Sequence, residues 1–324
     1  MTRPALRDDG SNGLAEALAL WALFGLYAVA AMVTYTRVPV RELYHVTSSG
    51  PAAGLHAVLG LAGFPVGMFA LAVLPIVADR LRRRTLAIAA LVAGALAASA
   101  FLPGALGDDG VDARPTNVFA AVGVGLALVL TVAAARSAGV DRLRLRVRGD
   151  RMRLAVAGLL LVAAVPWILA AVDLSIHVPV LRSIYLTDQL RSQPSAPGLH
   201  QAVHAGVHHG LCGALLAVAA LALSRALPSI RSRRVAHGLA MYLAFLLAYG
   251  VGNAVQDFQL EQIVKRGWMN YELPMVLSPS VSWAWGLVLA AACALYVLVF
   301  GPLVRGRGSR VGAPASGRLA PGPA

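Results

Sequence analysis

Four of the eight histidines in the chain fall between residues 197 and 212, and three of them, His200, His204 and His208, recur at intervals of four. On a helix that spacing lines the imidazoles along one stripe. Aligned imidazoles in an apolar setting can hold a transition metal ion (Fe, Cu or Zn) or haem, or can carry protons. Gly206, Gly210 and Gly213 form a second stripe on roughly the opposite face, where a neighbouring helix can approach closely. Cys212 continues the histidine stripe one turn deeper, as a small buried group or a soft ligand. Carboxylates recur at the same step. Asn253, Asp257 and Glu261 are spaced by four, Asp173 precedes His177 by four, and Glu42 lies three before His45. For the first of these stripes, a solvated helix end paired with Lys265 is the plain alternative to a functional role.

The elements that must position these groups are set by composition. With 58% hydrophobic and 13% charged residues in 324, the chain is too apolar for a soluble domain. Its mean hydropathy of +0.69 says the same. Apolar runs of spanning length lie at 14–35, 52–77, 85–102, 117–135, 154–172, 200–223, 235–255 and 281–304. An all-α, polytopic helix bundle of eight transmembrane helices is therefore expected. The two cysteines, Cys212 and Cys293, fall inside these runs, so no disulfide framework is implied.

A net charge of +13 suggests nucleic acid in a soluble protein, but its distribution here has a membrane cause. Basic residues alternate with the runs: two before residue 14, then four at 80–84, seven at 136–153, four at 225–234 and four at 305–318, leaving seven in the other connections. That asymmetry places both termini in the cytoplasm of a multi-pass cell-membrane protein, with no nucleic-acid partner. The basic inner segments would meet anionic headgroups. The tail at 305–324, rich in Gly, Pro and Arg, is expected to be disordered, and 1–13 to be a short cytoplasmic tail.

A duplication is legible as well. Val38, Pro39, Val40, Arg41 and Tyr44, followed by Gly54, Leu55 and His56, are echoed by Val178, Pro179, Val180, Arg182 and Tyr185, followed by Gly198, Leu199 and His200. Four helices at 14–153 thus pair with four at 154–304 in a 4+4 parallel repeat, related by an axis along the membrane normal. His56 becomes the partner of His200 and joins His200, His204 and His208 as an expected metal ligand. Asp257 and Glu261 are expected to move protons or complete the metal shell.

Haem A synthases resemble this chain in their eight spans, four-plus-four duplication and chemistry near the outer surface. They place haem-ligating histidines on all four even-numbered helices, whereas 117–135 and 281–304 contain none, so no residue roles carry over. Phosphate-loop, nucleophile-elbow and zinc-protease motifs do not occur. The expected function is a metal- or haem-dependent, oxidoreductase-like membrane enzyme acting near the extracytoplasmic surface on a lipophilic or membrane-delivered substrate. The alternatives are a small-molecule or metal-ion transporter, and an assembly partner of a membrane complex.

Overall fold

Lipid offers no hydrogen-bond partners, so a chain this apolar must satisfy its backbone within helices. A computed structural model describes residues 12–44, 46–81, 84–102, 113–141, 149–193, 196–203, 207–277 and 280–305, apart from the side chains of 84, 175, 176, 193, 207 and 208. The first half contains α1 (Leu14–Arg37), α2 (Val40–Leu43), α3 (Gly50–Gly63), α4 (Val66–Arg80), α5 (Arg84–Ala97) and α6 (Pro115–Ala138). The second contains α7 (Asp150–Ala163), α8 (Val165–Ala171), α9 (Leu174–His177), α10 (Pro179–Tyr185), β1 (Leu186–Gln193) and β2 (Ala196–Val203), then α11 (Cys212–Leu223), α12 (Arg233–Gln259), α13 (Trp283–Leu295) and α14 (Gly301–Arg305).

Five continuous helical segments are long and apolar enough to span a bilayer: α1, α6, His209–Ser229, Arg233–Val264 and Trp283–Arg305. Two more candidates are bent pairs, α3 with α4 at 42° and α7 with α8 at 56°. Proline lies at each bend. Pro65 and Pro166 lack the N–H that would continue the helical ladder, so the chain turns there. Thr85–Phe101 is a shorter apolar helix, so the described residues hold five to seven candidate spans where eight are expected.

The protein is therefore mostly helical, but the all-α expectation needs correcting. The strands β1 and β2 pair antiparallel, as a hairpin, with Leu190 opposite Gln201 and Arg191 opposite His200. His200 accordingly sits on β2 rather than opening a helix, and the sixth apolar span begins at His209 instead of residue 200. The run 186–203 is interrupted by Pro194, Pro197 and Gly198 and carries Asp188, Arg191 and several other polar side chains. Such a segment cannot extend a lipid-facing helix.

The α11 segment is the hub. The span that contains it is mostly buried, and it packs on α12, α7, α4 and α1. Gly213 and Gly250 make the closest of these contacts: a Cβ on either would stand about 2.5 Å from the other's carbonyl oxygen, at 2.5 and 2.4 Å respectively. The expectation of close approach along the glycine stripe holds at Gly210 and Gly213, while Gly206 lies outside the described residues.

At one end of the bundle the arginine-bearing connections meet. Arg225 reaches Glu16 at 2.6 Å and Asp150 at 3.1 Å, and Asp150 also holds Arg153 at 3.0 Å. Arg80 bonds Ser229 Oγ at 2.6 Å and the Asn12 carbonyl at 3.2 Å, while the Asn12 N–H donates to Asp141. The opposite end gathers α2, α8 to α10, the hairpin and the end of α12. The termini at 1–11 and 306–324 lie outside the described residues.

Candidate functional site

The end of the bundle that carries the hairpin buries an unusual amount of polar chemistry. Along α12 and the π-helical turn 260–264 that extends it, Asn253, Gln256, Asp257, Gln259 and Glu261 are all buried. The four-residue step read from the sequence therefore faces protein rather than solvent. Gln259 has a structural task, donating to the Tyr271 carbonyl at 2.6 Å and accepting from the Leu273 N–H at 3.2 Å, which fixes the loop after α12. Asn253 donates to the Tyr249 carbonyl at 3.0 Å. Asn253 Oδ1, Gln256 Oε1 and Asp257 Oδ2, however, are buried oxygens without a hydrogen-bond partner of ordinary geometry among the described residues.

Asp257 is the centre of this cluster, with 3% of its surface exposed. Its carboxyl group lies against the Trp167 indole on α8 and the Gly210 backbone amide. Gly210 is glycine because a Cβ there would stand 2.2 Å from the Trp167 ring and 2.6 Å from Asp257 Oδ2. One turn on, Glu261 is clasped by Lys265, whose ammonium donates to both carboxylate oxygens at 2.8 and 2.7 Å and to the Val203 carbonyl at 2.9 Å. The ion pair ties α12 to the end of β2.

Tyrosines close the cluster from the other side. Tyr35 stacks on Tyr44 with ring centroids 5.1 Å apart, and the Tyr44 and Tyr185 hydroxyls are hydrogen-bonded. Burial pushes the phenols of Tyr44 and Tyr185 well above their ordinary range. Both keep their protons at neutral pH and can donate. Glu261 and Asp257 are within electrostatic reach of Tyr44. Deeper on α1, the Tyr27 hydroxyl meets Cys212 Sγ at 3.3 Å. Cys212 is thus a buried, hydrogen-bonded thiol. The tyrosine cluster was not read from the sequence as a site, although Tyr44 and Tyr185 occupy matched positions in the duplicated pattern.

The described histidines stand apart from one another. His56 is half-buried on α3. His200 Nε2 lies 3.0 Å from the Pro197 carbonyl, and its Nδ1 is 3.9 Å from Glu42. The backbone of His208 lies in the π-helical turn 207–211 that packs on α12, but its side chain, like all of His204 and His45, falls outside what is described. His177 Nε2 pairs with Asp173 at 3.1 Å. Among the described residues no three His, Cys, Asp or Glu side chains converge as a metal site would require. No family model, curated protein or solved structure matches the chain. Any functional reading must therefore rest on the buried cluster itself.

Proposed function

We propose that the chain is a proton-coupled small-molecule transporter of eight spans in two four-helix halves, its arginine-rich end in the cytoplasm and Asp257 its proton-carrying group near the outer surface. The observation that carries this reading is Asp257 itself, a carboxyl group buried within a span whose Oδ2 has no hydrogen-bond partner of ordinary geometry among the described residues. Ionisable groups inside the apolar slab are costly, and they are retained where protons or substrates are handled. The α3–α4 and α7–α8 breaks support a transporter, because interrupted spans are how such proteins line a path with backbone polar groups. The second break matters directly, since it sets Trp167 on Asp257. The short helix Thr85–Phe101 is the remaining span in this scheme. Contact between Tyr44 and Tyr185, matched positions of the two halves, is what a pseudo-twofold axis passing near them would produce.

Reconstituted vesicles provide the test. Solute-driven proton movement across a panel of small anions, cations and neutral compounds should fall about 100-fold or more in Asp257→Asn, the scale of losing a positioned proton-transfer group. Infrared difference spectra on a pH step should lose one protonated-carboxyl band in the same variant. Proton movement unchanged in Asp257→Asn would end this reading.

One observation favours the metal-enzyme alternative. The backbone turn that carries His208 and His209 is the segment laid against Asp257 through Gly210, and in this alternative His204 and His208, with His56 or His200, hold a metal ion or haem. In that case the purified protein carries about one equivalent of metal or haem, and a His204→Ala, His208→Ala double variant loses it. Metal-free wild-type protein that still moves protons would exclude this second reading.

A further inference from the structure

Beside the buried cluster, a cavity of about 510 Å³ opens between α10, the hairpin and the residues that follow α12. It lies within the range of small-molecule sites and is far larger than an inorganic anion needs. Its charged lining is two guanidinium groups, one ammonium and one carboxylate, that of Asp188, so cations outnumber the anion three to one. Arg182 donates to Gln201 at 3.2 Å, and Arg266 to Gln262 at 3.1 Å and to the Ser183 carbonyl at 3.3 Å, from one terminal nitrogen in each case. The Arg266 guanidinium also lies 5.8 Å from the centre of the Trp268 ring, and Trp268 and Leu186 give the cavity an apolar wall. The remaining cation is Lys265, which lines the cavity while its ammonium is committed to Glu261.

We propose that this cavity binds a small organic carboxylate with an aromatic or aliphatic body, and that the bound anion draws Lys265 away from Glu261, which takes up a proton in exchange. The charges balance. The ligand carboxylate replaces Glu261 as the counter-ion of Lys265, Glu261 gains one proton and becomes neutral, and anion and proton bind as an electroneutral pair. Glu261 is buried, so losing its cation leaves protonation as the inexpensive alternative to an uncompensated charge. The charged and titratable groups around it are Asp257 and Lys265 on its own helix, Arg191 from β1 and Tyr44 beyond α2. His209 lies near Lys265. Asp257, one turn further in, is the next acceptor, and only that onward step rests on the transporter reading.

The experiment is calorimetric titration of benzoate into the full-length protein in lipid nanodiscs, run in two buffers of different ionisation enthalpy, with benzyl alcohol as the neutral control. Wild type is expected to bind benzoate with uptake of about one proton per anion. Arg182→Gln, at an exposed position, and Arg266→Gln, at a half-buried one, should each weaken binding about tenfold, as the loss of a charge-assisted hydrogen bond predicts. Glu261→Gln should bind benzoate with no proton uptake. Saturable binding without proton uptake in wild type, indifference to both arginine changes, or no binding of benzoate at all would overturn the proposal. Benzoate binding with proton uptake preserved in Asp257→Asn sustains this site even where the Asp257 reading fails. Absent binding in a protein whose Asp257→Asn variant does lose proton movement removes the anion site alone.

Discussion

Replacing Arg225 by methionine should destabilise the folded protein by about 3 to 5 kcal/mol, read as loss of folded material at lower denaturant in detergent unfolding. Arg225 joins two carboxylates from separate helices, Glu16 at the start of α1 and Asp150 at the start of α7, and all three side chains are buried or nearly so. The size of the effect comes from what the substitution leaves behind. An intact buried ion pair contributes little net stability, because desolvation offsets most of the attraction, but withdrawing one partner leaves the other charge in a poorly solvated site. Arg153 still reaches Asp150 in the variant, whereas Glu16 loses its 2.6 Å contact with Arg225. Adding Glu16→Gln to Arg225→Met should therefore recover a large part of the loss. If the double change is as unstable as the single one, the clasp is not electrostatic in origin, and the lost packing of the arginine stem would account for the defect instead.

The second large effect concerns the α11–α12 contact, where adding one methyl group should have opposite signs at two glycines of the same helix. A Cβ at residue 250 would stand 2.4 Å from the Gly213 carbonyl oxygen and 2.9 Å from the Ala217 nitrogen. Both are backbone atoms, so relief requires the helices to separate. At residue 238 nothing lies within 4 Å. Alanine is worth about 0.5 to 1 kcal/mol over glycine within a helix, and forced overpacking costs about 1 to 3 kcal/mol or more. Gly250→Ala should thus lose stability on balance, Gly250→Leu should fail to yield folded protein, and Gly238→Ala should gain a few tenths to 1 kcal/mol. Equal stability of Gly250→Ala and Gly238→Ala would show that α11 and α12 do not pack this closely.

These two sites also bear on the function. The Arg225 clasp and the Gly213–Gly250 contact hold α1, α7, α11 and α12 in fixed relation, and the far ends of those helices deliver Tyr35, Asp257 and Glu261 to the buried cluster. A proton-transfer group is effective only at hydrogen-bond distance from its partner.

The sequence by itself determined the class of the protein and the places where it is apolar enough to cross a membrane. The bilayer imposes a length and a polarity on any span, and both are written directly in runs such as 14–35 and 117–135. It also identified Asp257 and Glu261 as residues of interest, and the glycines where helices touch, since a four-residue step and a missing side chain are local facts. Only the tertiary structure decided which way the step faces. Asn253, Asp257 and Glu261 fit a solvated helix end equally well until α8, α11 and the hairpin are laid against them. The same holds for His200, whose spacing from His204 and His208 is helical in the sequence, while Pro197 and Gly198 disfavour a helix there and pairing with β1 makes the segment a strand. The tyrosine cluster was hidden for a related reason. Tyr35, Tyr44 and Tyr185 share no interval, coming from a span and two short connections, and only the folding of one half against the other brings their hydroxyls and rings together.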